Sequence, residues 1–294
     1  SDVALATHLE IAGSGAAWAL ARPVPPQTPP APAPGLRALD WAAPDYPAGL
    51  SSLLQPPPAL FVRGRPDALP PLERCVAIIG ARRCTERGRW LAFDLARGLA
   101  EAGVVVVSGL ALGIDAAAHE GALRGGGSTL AVLASSVDRP SPARNRRLGE
   151  EIAAGGGWLV SERPFGASLR GHDFPRRNRL VAALSCAVVV VEAGLPSGTL
   201  GTVEVALGLD RLVGAVPGNP GAPASAGANA LLKAGAALVE DPGDVLALMG
   251  RHLEPPAPGL GPDELALLGG LRGAAGGPGA WIDESGLPRA RAEA

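Results

Sequence analysis

The sequence predicts an α/β fold, a doubly wound and mostly parallel sheet of extended Rossmann-like type, and three observations carry that expectation. Six short apolar runs rich in valine and alanine recur between residues 75 and 218. They lack the apolar–polar alternation of a sheet with one wet face, so both faces are covered. Between them lie segments whose apolar residues repeat every three or four positions and end at glycine, the pattern of helices. Strand–helix alternation at this density gives parallel βαβ units.

The first strand is "CVAIIG" (75–80), followed by the helical segment "ERGRWLAFDLARGLAEAG" (86–103). "VVVVSG" (104–109) is the second strand and "GIDAAAHEGAL" (113–123) the next helix. "TLAVLAS" (129–135), a helix over 143–156 and "GWLVSE" (157–162) follow. A short helix over 177–184, the strand "AVVVVEA" (187–193), the helix "TLGTVEVALGL" (199–209) and the strand "RLVGAVPG" (211–218) continue the alternation. A helix over 227–236 and "ALVED" (237–241) close it. Upstream, "ALFVRG" (59–64) reads as an edge strand ending in a glycine turn.

The expected organisation has five parts. Residues 1–21 form an N-terminal helical fragment, and 22–43 a proline-rich linker that can be neither helix nor central strand. Residues 44–250 form the Rossmann-like domain, and 251–262 a second linker. Residues 263–294 read as a winged-helix-like segment, cut short, with turn chemistry at Gly286 and Pro288.

Charge is balanced, with 26 Lys+Arg against 28 Asp+Glu in 294 residues, so any basic site is local. Lys233 is the sole lysine; arginine suits bidentate phosphate contact, and codon bias accounts for the total but leaves the placement to explain. Cys75, Cys84 and Cys186 are too few and too scattered for a disulfide framework or a zinc site, as in a reduced cytoplasmic protein. No run has the length of a membrane span and no secretory signal opens the chain.

In an open parallel sheet, ligands bind beyond the carboxyl ends of the strands. The turns there are "GARRCTERG" (80–88), "SGLALGID" (108–115), "SERPFGASLRGHDFPRRNR" (161–179), "EAGLPSGTLGT" (192–202) and "PGNPGAPASAGAN" (217–229). Glycine admits close approach of backbone amides to an anion, and helix N-termini add positive partial charge. Arg82, Arg83, Arg176, Arg177, Arg179 and Lys233 are expected to line one phosphate-binding rim. Gly80 and Gly88 are equally read as strand-end and helix-entry glycines.

Enzymatic signatures are sparse. Ser108, Ser161 and Ser197 follow strands without a G-x-S-x-G elbow. His119 reads as a helix residue rather than a base, Asp115 as a helix N-terminal charge, and Glu162 and Glu192 as partners ordering the arginine turn. Neither G-x-G-x-x-G nor a P-loop lysine is present. A long polyanion fits this pattern better than a mononucleotide, with no cofactor, no metal and no turnover expected.

"VAIIGARRCTERG", "VVVVSGLALGIDAAAHEGAL", "FPRRNRLVAALS", "VVVVEAGLPSGTLGT" and "AVPGNP…GANALLKAGA" resemble, in order and spacing, the bacterial DNA-processing protein A (DprA/Smf) family. The resemblance covers roughly 44–241. It implies a Rossmann domain that binds single-stranded DNA, forms a homodimer and loads RecA recombinase during natural transformation and recombination. Single-stranded DNA-binding protein is a further implied partner. By position, it implies DNA contacts at Arg82, at Phe174, Arg176, Arg177, Asn178 and Arg179, at Ser197 and Gly198, and at Lys233. Arg83, Thr85, Gly88, Ser108, Gly109 and Asn229 complete the candidate set. The family's Tyr-Pro after the third strand is missing from "ASSVDRPSPARN" (134–145). "SGTLGTVEVAL" (197–207) also resembles the G-G-x-G-T-x-x-E motif of lysine-decarboxylase-like phosphoribohydrolases, which would make Glu204 catalytic on nucleoside monophosphates.

Overall fold

The computed structural model describes residues 35–65 and 68–250. The N-terminal helical fragment and the winged-helix-like segment expected from sequence lie outside the described residues, as does most of the proline-rich linker.

Nine strands form one sheet: β1 Leu36–Asp40, β2 Ala59–Gly64, β3 Cys75–Ile79, β4 Val105–Ser108, β5 Thr129–Val132, β6 Trp158–Ser161, β7 Ala187–Val190, β8 Leu212–Ala215 and β9 Ala237–Leu238. Their order is β1-β2-β6-β5-β4-β3-β7-β8-β9. The seven strands from β6 to β9 run parallel, and β1 and β2 are antiparallel additions. The helices are α1 Ala48–Ser51, α2 Glu86–Glu101, α3 Ile114–Arg124, α4 Arg146–Ala154, α5 Asp173–Ala183, α6 Gly198–Gly208, α7 Ala226–Lys233 and α8 Pro242–Leu248. Among the described residues no helix is long and apolar enough to cross a membrane.

The doubly wound class is what the valine-rich runs predict, and β3 shows the reason. Cys75, Ala77 and Ile79 pack into one apolar cluster with Leu180 and Val181 of α5 and Leu200 and Val203 of α6. Val76 and Ile78 pack into another with Leu95 and Leu99 of α2 and Ile114 and Ala118 of α3. Alternate residues thus serve opposite faces, and neither face meets water. Burying a side chain such as Ile78 fully contributes roughly 1.5–3 kcal/mol.

Helix α2 begins where Thr85 caps it, its hydroxyl accepting from Gly88 N at 3.0 Å. It ends at Gly103, whose φ of +73° closes a glycine cap with Val104 N donating to Leu99 O at 2.9 Å. Helices α2 and α3 approach closely through small residues. A Cβ on Gly121 would lie 2.1 Å from Phe93 O, so glycine is required there.

Three expectations need correction. The stretch 22–43 is not linker throughout, because Leu36–Asp40 forms β1 and pairs with β2 along its whole length. Prolines stop at Pro34, and five residues suffice for an edge strand. That pairing removes β2 from the edge, since β6 flanks its other side. Helix α5 starts at Asp173 rather than 177. Pro175 occupies its first turn, where a missing N–H leaves no helical bond unmade.

Candidate nucleic-acid interface

The chain leaves β3 toward β4 through α2 and leaves β7 toward β8 through α6, so neighbouring strands send their connections in opposite directions. A crevice opens at such a switch point. Here it is a cleft of about 830 Å³, and its walls include Arg82, Gly109, Asp115, His172, Phe174, Arg177, Asn178, Ser197, Gly198, Thr199 and Glu204.

One wall is the turn after β3, and Glu192 holds it in place. Ala81 N donates to Glu192 O at 2.8 Å, and Thr85 N to Glu192 Oε2 at 2.9 Å. The Thr85 hydroxyl donates to Glu192 Oε1. A Cβ on Gly88 would stand 2.3 Å from the Glu192 carboxyl carbon. Thr85 and Gly88 are therefore committed to shaping the turn, and Glu192 binds its backbone rather than an arginine. The turn presents Arg82 and Arg83 to solvent.

The floor is the turn after β4. Gly109 N and Ala111 N donate to Asp115 Oδ2 at 3.1 and 3.3 Å, and Asn145 Nδ2 donates to Leu110 O and Ala111 O at 2.9 and 3.0 Å. Leu110 has φ of +57°, an uncommon conformation for a branched side chain, which these bonds impose. Asn145, which sequence reasoning missed, has no local motif to reveal it; its partners lie 34 and 35 residues away. Ser108 is fully buried and donates to Ile78 O at 2.7 Å, so it is a structural hydroxyl.

The four polar residues Arg176 to Arg179 point three ways. Arg177, only 4 % exposed, donates through Nη1 to Gly109 O and Val132 O and faces Asp115. Burial pushes the Asp115 carboxyl up, while Arg177 and the two amides pull it down. Arg179 donates to Glu162 and to Gln55 O, and Arg176 Nε lies 2.9 Å from the same Glu162. Asn178 bridges to the start of α6, donating to Gly198 O at 3.3 Å and accepting from Arg177 Nε at 3.2 Å. Arg177 lines the cleft as expected, but its charge faces Asp115, and that of Arg179 is paired with Glu162, the partner expected for this turn.

The opposite wall is the start of α6, where Ser197 Oγ accepts from Thr199 N at 3.2 Å. The cap leaves other first-turn amides without an intrahelical partner. Across the mouth, the Arg82 guanidinium sits 4.7 Å from the centroid of the Phe174 ring. Asn229 and Lys233 lie elsewhere. Asn229 exchanges two 3.0 Å hydrogen bonds with the backbone of Gly218, and Lys233 is exposed in the last turn of α7. In the 134–145 turn Ser135 and Ser136 are buried, and beyond it, within α4, Arg147 pairs with Glu151 at 2.8 Å.

His119 is wholly buried behind the floor. Thr129 Oγ1 donates to Val106 O, so His119 Nδ1 donates to that hydroxyl at 2.7 Å and Nε2 is left as the basic nitrogen. Burial first, and Arg177 second, push its pKa down to about 3. Since the unfolded chain takes up a proton near pH 6.5 and the folded chain does not, stability is full above that pH and falls as pH drops toward 3. The stability margin of the native protein over His119→Gln should shrink by about 2 kcal/mol between pH 7 and pH 5. Urea unfolding at both pH values checks it; a constant margin rejects the neutral buried imidazole. The titration of Asp115, which acts with opposite sign, is common to both proteins.

Fold and cleft together define an extended Rossmann-like α/β protein with a loop-built cleft at its switch point and no dinucleotide fingerprint. The family model "DNA recombination-mediator protein A" matches residues 37–250, and the chain belongs to that family, DprA/Smf. It is 47% identical over 197 residues to a putative DNA processing protein DprA of Mycobacterium tuberculosis, covering 66% of this chain and 50% of that protein. It is 40% identical over 215 residues to protein Smf of Escherichia coli, covering 72% and 57%. The chain thus spans about half the length of these curated relatives. The X-ray structure of DNA processing protein A from Streptococcus pneumoniae superposes with TM-score 0.67 at 36% identity, covering 72% of this chain and 74% of that one. DNA processing protein A of Helicobacter pylori, a protein with a unique single-stranded DNA binding mode, superposes with TM-score 0.64 at 31% identity, covering 74% and 97%.

Proposed function

We propose that this protein binds single-stranded DNA in the switch-point cleft without turnover, protects incoming strands and loads RecA recombinase onto them, acting as a homodimer in transformation and recombination. The observation that carries the binding step is the meeting of Arg82, Phe174 and the capped start of α6 in one cleft. A cation, an aromatic ring and backbone amides serve phosphates and bases of any sequence. Among the described residues no group of three His, Cys, Asp or Glu is placed to hold a metal.

With Arg177 and Arg179 internal and Arg176 paired, the exposed arginines of the site are Arg82 and Arg83. Neutralising two phosphates per cleft gives a log–log salt slope of about −1.4, against about −3.5 for five. Oligo-dT binding over a salt series measures it, and Arg82→Ala should flatten the slope by about 0.7. A slope indistinguishable from zero removes the polyanion reading. RecA loading is tested by recombinase capture on the protein with and without bound oligo-dT; equal capture speaks against loading.

Glu204 lines the same cleft as Thr199 and Gly198, which favours a second reading as a nucleoside-monophosphate phosphoribohydrolase. Release of free adenine from AMP, abolished by Glu204→Gln, distinguishes it.

A further inference from the structure

Resting on the single-strand reading above, we infer that Arg82 and Phe174 act as a coupled pair that makes the cleft select a base-bearing strand over a base-free polyanion. The two residues come from different walls, Arg82 from the turn after β3 and Phe174 from the first turn of α5, and the guanidinium covers the ring at 4.7 Å. Arg82 is exposed and Phe174 partly buried, so the arginine is the member free to move. The two surfaces that a nucleotide needs, a cation and a ring face, thus occupy one another when no ligand is bound.

The consequence is a selection rule. A ligand that offers phosphate alone draws Arg82 off the ring and leaves that face without a partner. A ligand that also offers a base covers the ring as Arg82 leaves, so its phosphate meets a cation whose release is offset by stacking. Asn178 keeps the ring's helix in place by bonding α5 to the start of α6 through Gly198 O. Phe174 is therefore a specificity residue that acts twice, by stacking and by withholding Arg82 from bare phosphate.

The test compares oligo-dT with an abasic deoxyribose-phosphate polymer of equal length, on the full chain. Phe174→Leu should weaken oligo-dT binding by about five-fold or more, the loss of one stacked base. The same substitution should strengthen binding of the abasic polymer by about two- to five-fold, the release of an exposed cation–π contact. In an Arg82→Gln background the gain on the abasic polymer should vanish. Matched thermal unfolding of the variants shows that the changes are local. Weaker or unchanged abasic binding by Phe174→Leu overturns the pair while leaving the single-strand reading in place. Failure of the native protein to bind oligo-dT at all overturns that reading and the pair with it.

Discussion

Arg177→Met is expected to lower the free energy of unfolding by about 3–5 kcal/mol, the usual consequence of leaving a buried charge without the opposite charge that balances it. Methionine fills much of the volume, so the loss is electrostatic rather than a cavity. The Asp115 carboxylate would keep its two amide donors but lose the cation facing it, and Gly109 O and Val132 O would lose their donor. Urea unfolding with an unchanged dependence on denaturant reads the effect directly. Adding Asp115→Asn to Arg177→Met should recover part of the loss, because the uncompensated charge disappears. A single-variant loss below about 1 kcal/mol would show that the pair stabilises no more than a surface bridge does.

Glu162→Ala is the second large effect, expected at about 3 kcal/mol. Its carboxylate lies 2.9 Å from Arg176 and also accepts from Arg179, with the side chains of Arg179 and Glu162 only 9 % and 7 % exposed. The value lies at the lower end of the range because Arg179 retains Gln55 O and Arg176 reaches solvent. Replacing both Glu162 and Arg179 with methionine should be far milder than Glu162→Ala, since no charge is then left buried. If the double variant is the worse of the two, the pair contributes net stability of its own.

The sheet was legible because six of its parallel strands are apolar on both faces, a pattern that residues such as Val76 and Ala77 display without any partner in view. The helices were legible from spacing and from glycine stops such as Gly103. What hid was structure that depends on pairing. "LRALD" has no periodicity to distinguish it from linker, and it becomes β1 only because β2 offers a free edge. The start of α5 hid behind Pro175, which breaks a helix interior but fits a first turn. In the site, the turns that meet at the cleft could be named from topology alone, and Arg82, Gly109, Phe174, Arg177, Asn178, Ser197 and Gly198 do line it. Glu162, which opens the same turn as Arg176 and Arg179, was legible as their partner; the direction of Arg177 was not, because Asp115 arrives from the turn after β4. The partner of Asn229 was hidden for a related reason: its amide complements the Gly218 backbone, a relation that local sequence does not express.

The three-way division of the "RRNR" segment changes what a mutational survey of it can mean. Arg177 and Arg179 are foundations, Asn178 is a link between two helices, and the exposed cation of the cleft, Arg82, lies almost a hundred residues upstream. A screen that scores only lost function in the living cell would merge collapsed protein with protein that folds but no longer grips. Sorting variants by abundance first, and by grip second, would draw a boundary through the middle of a motif that looks uniform on paper.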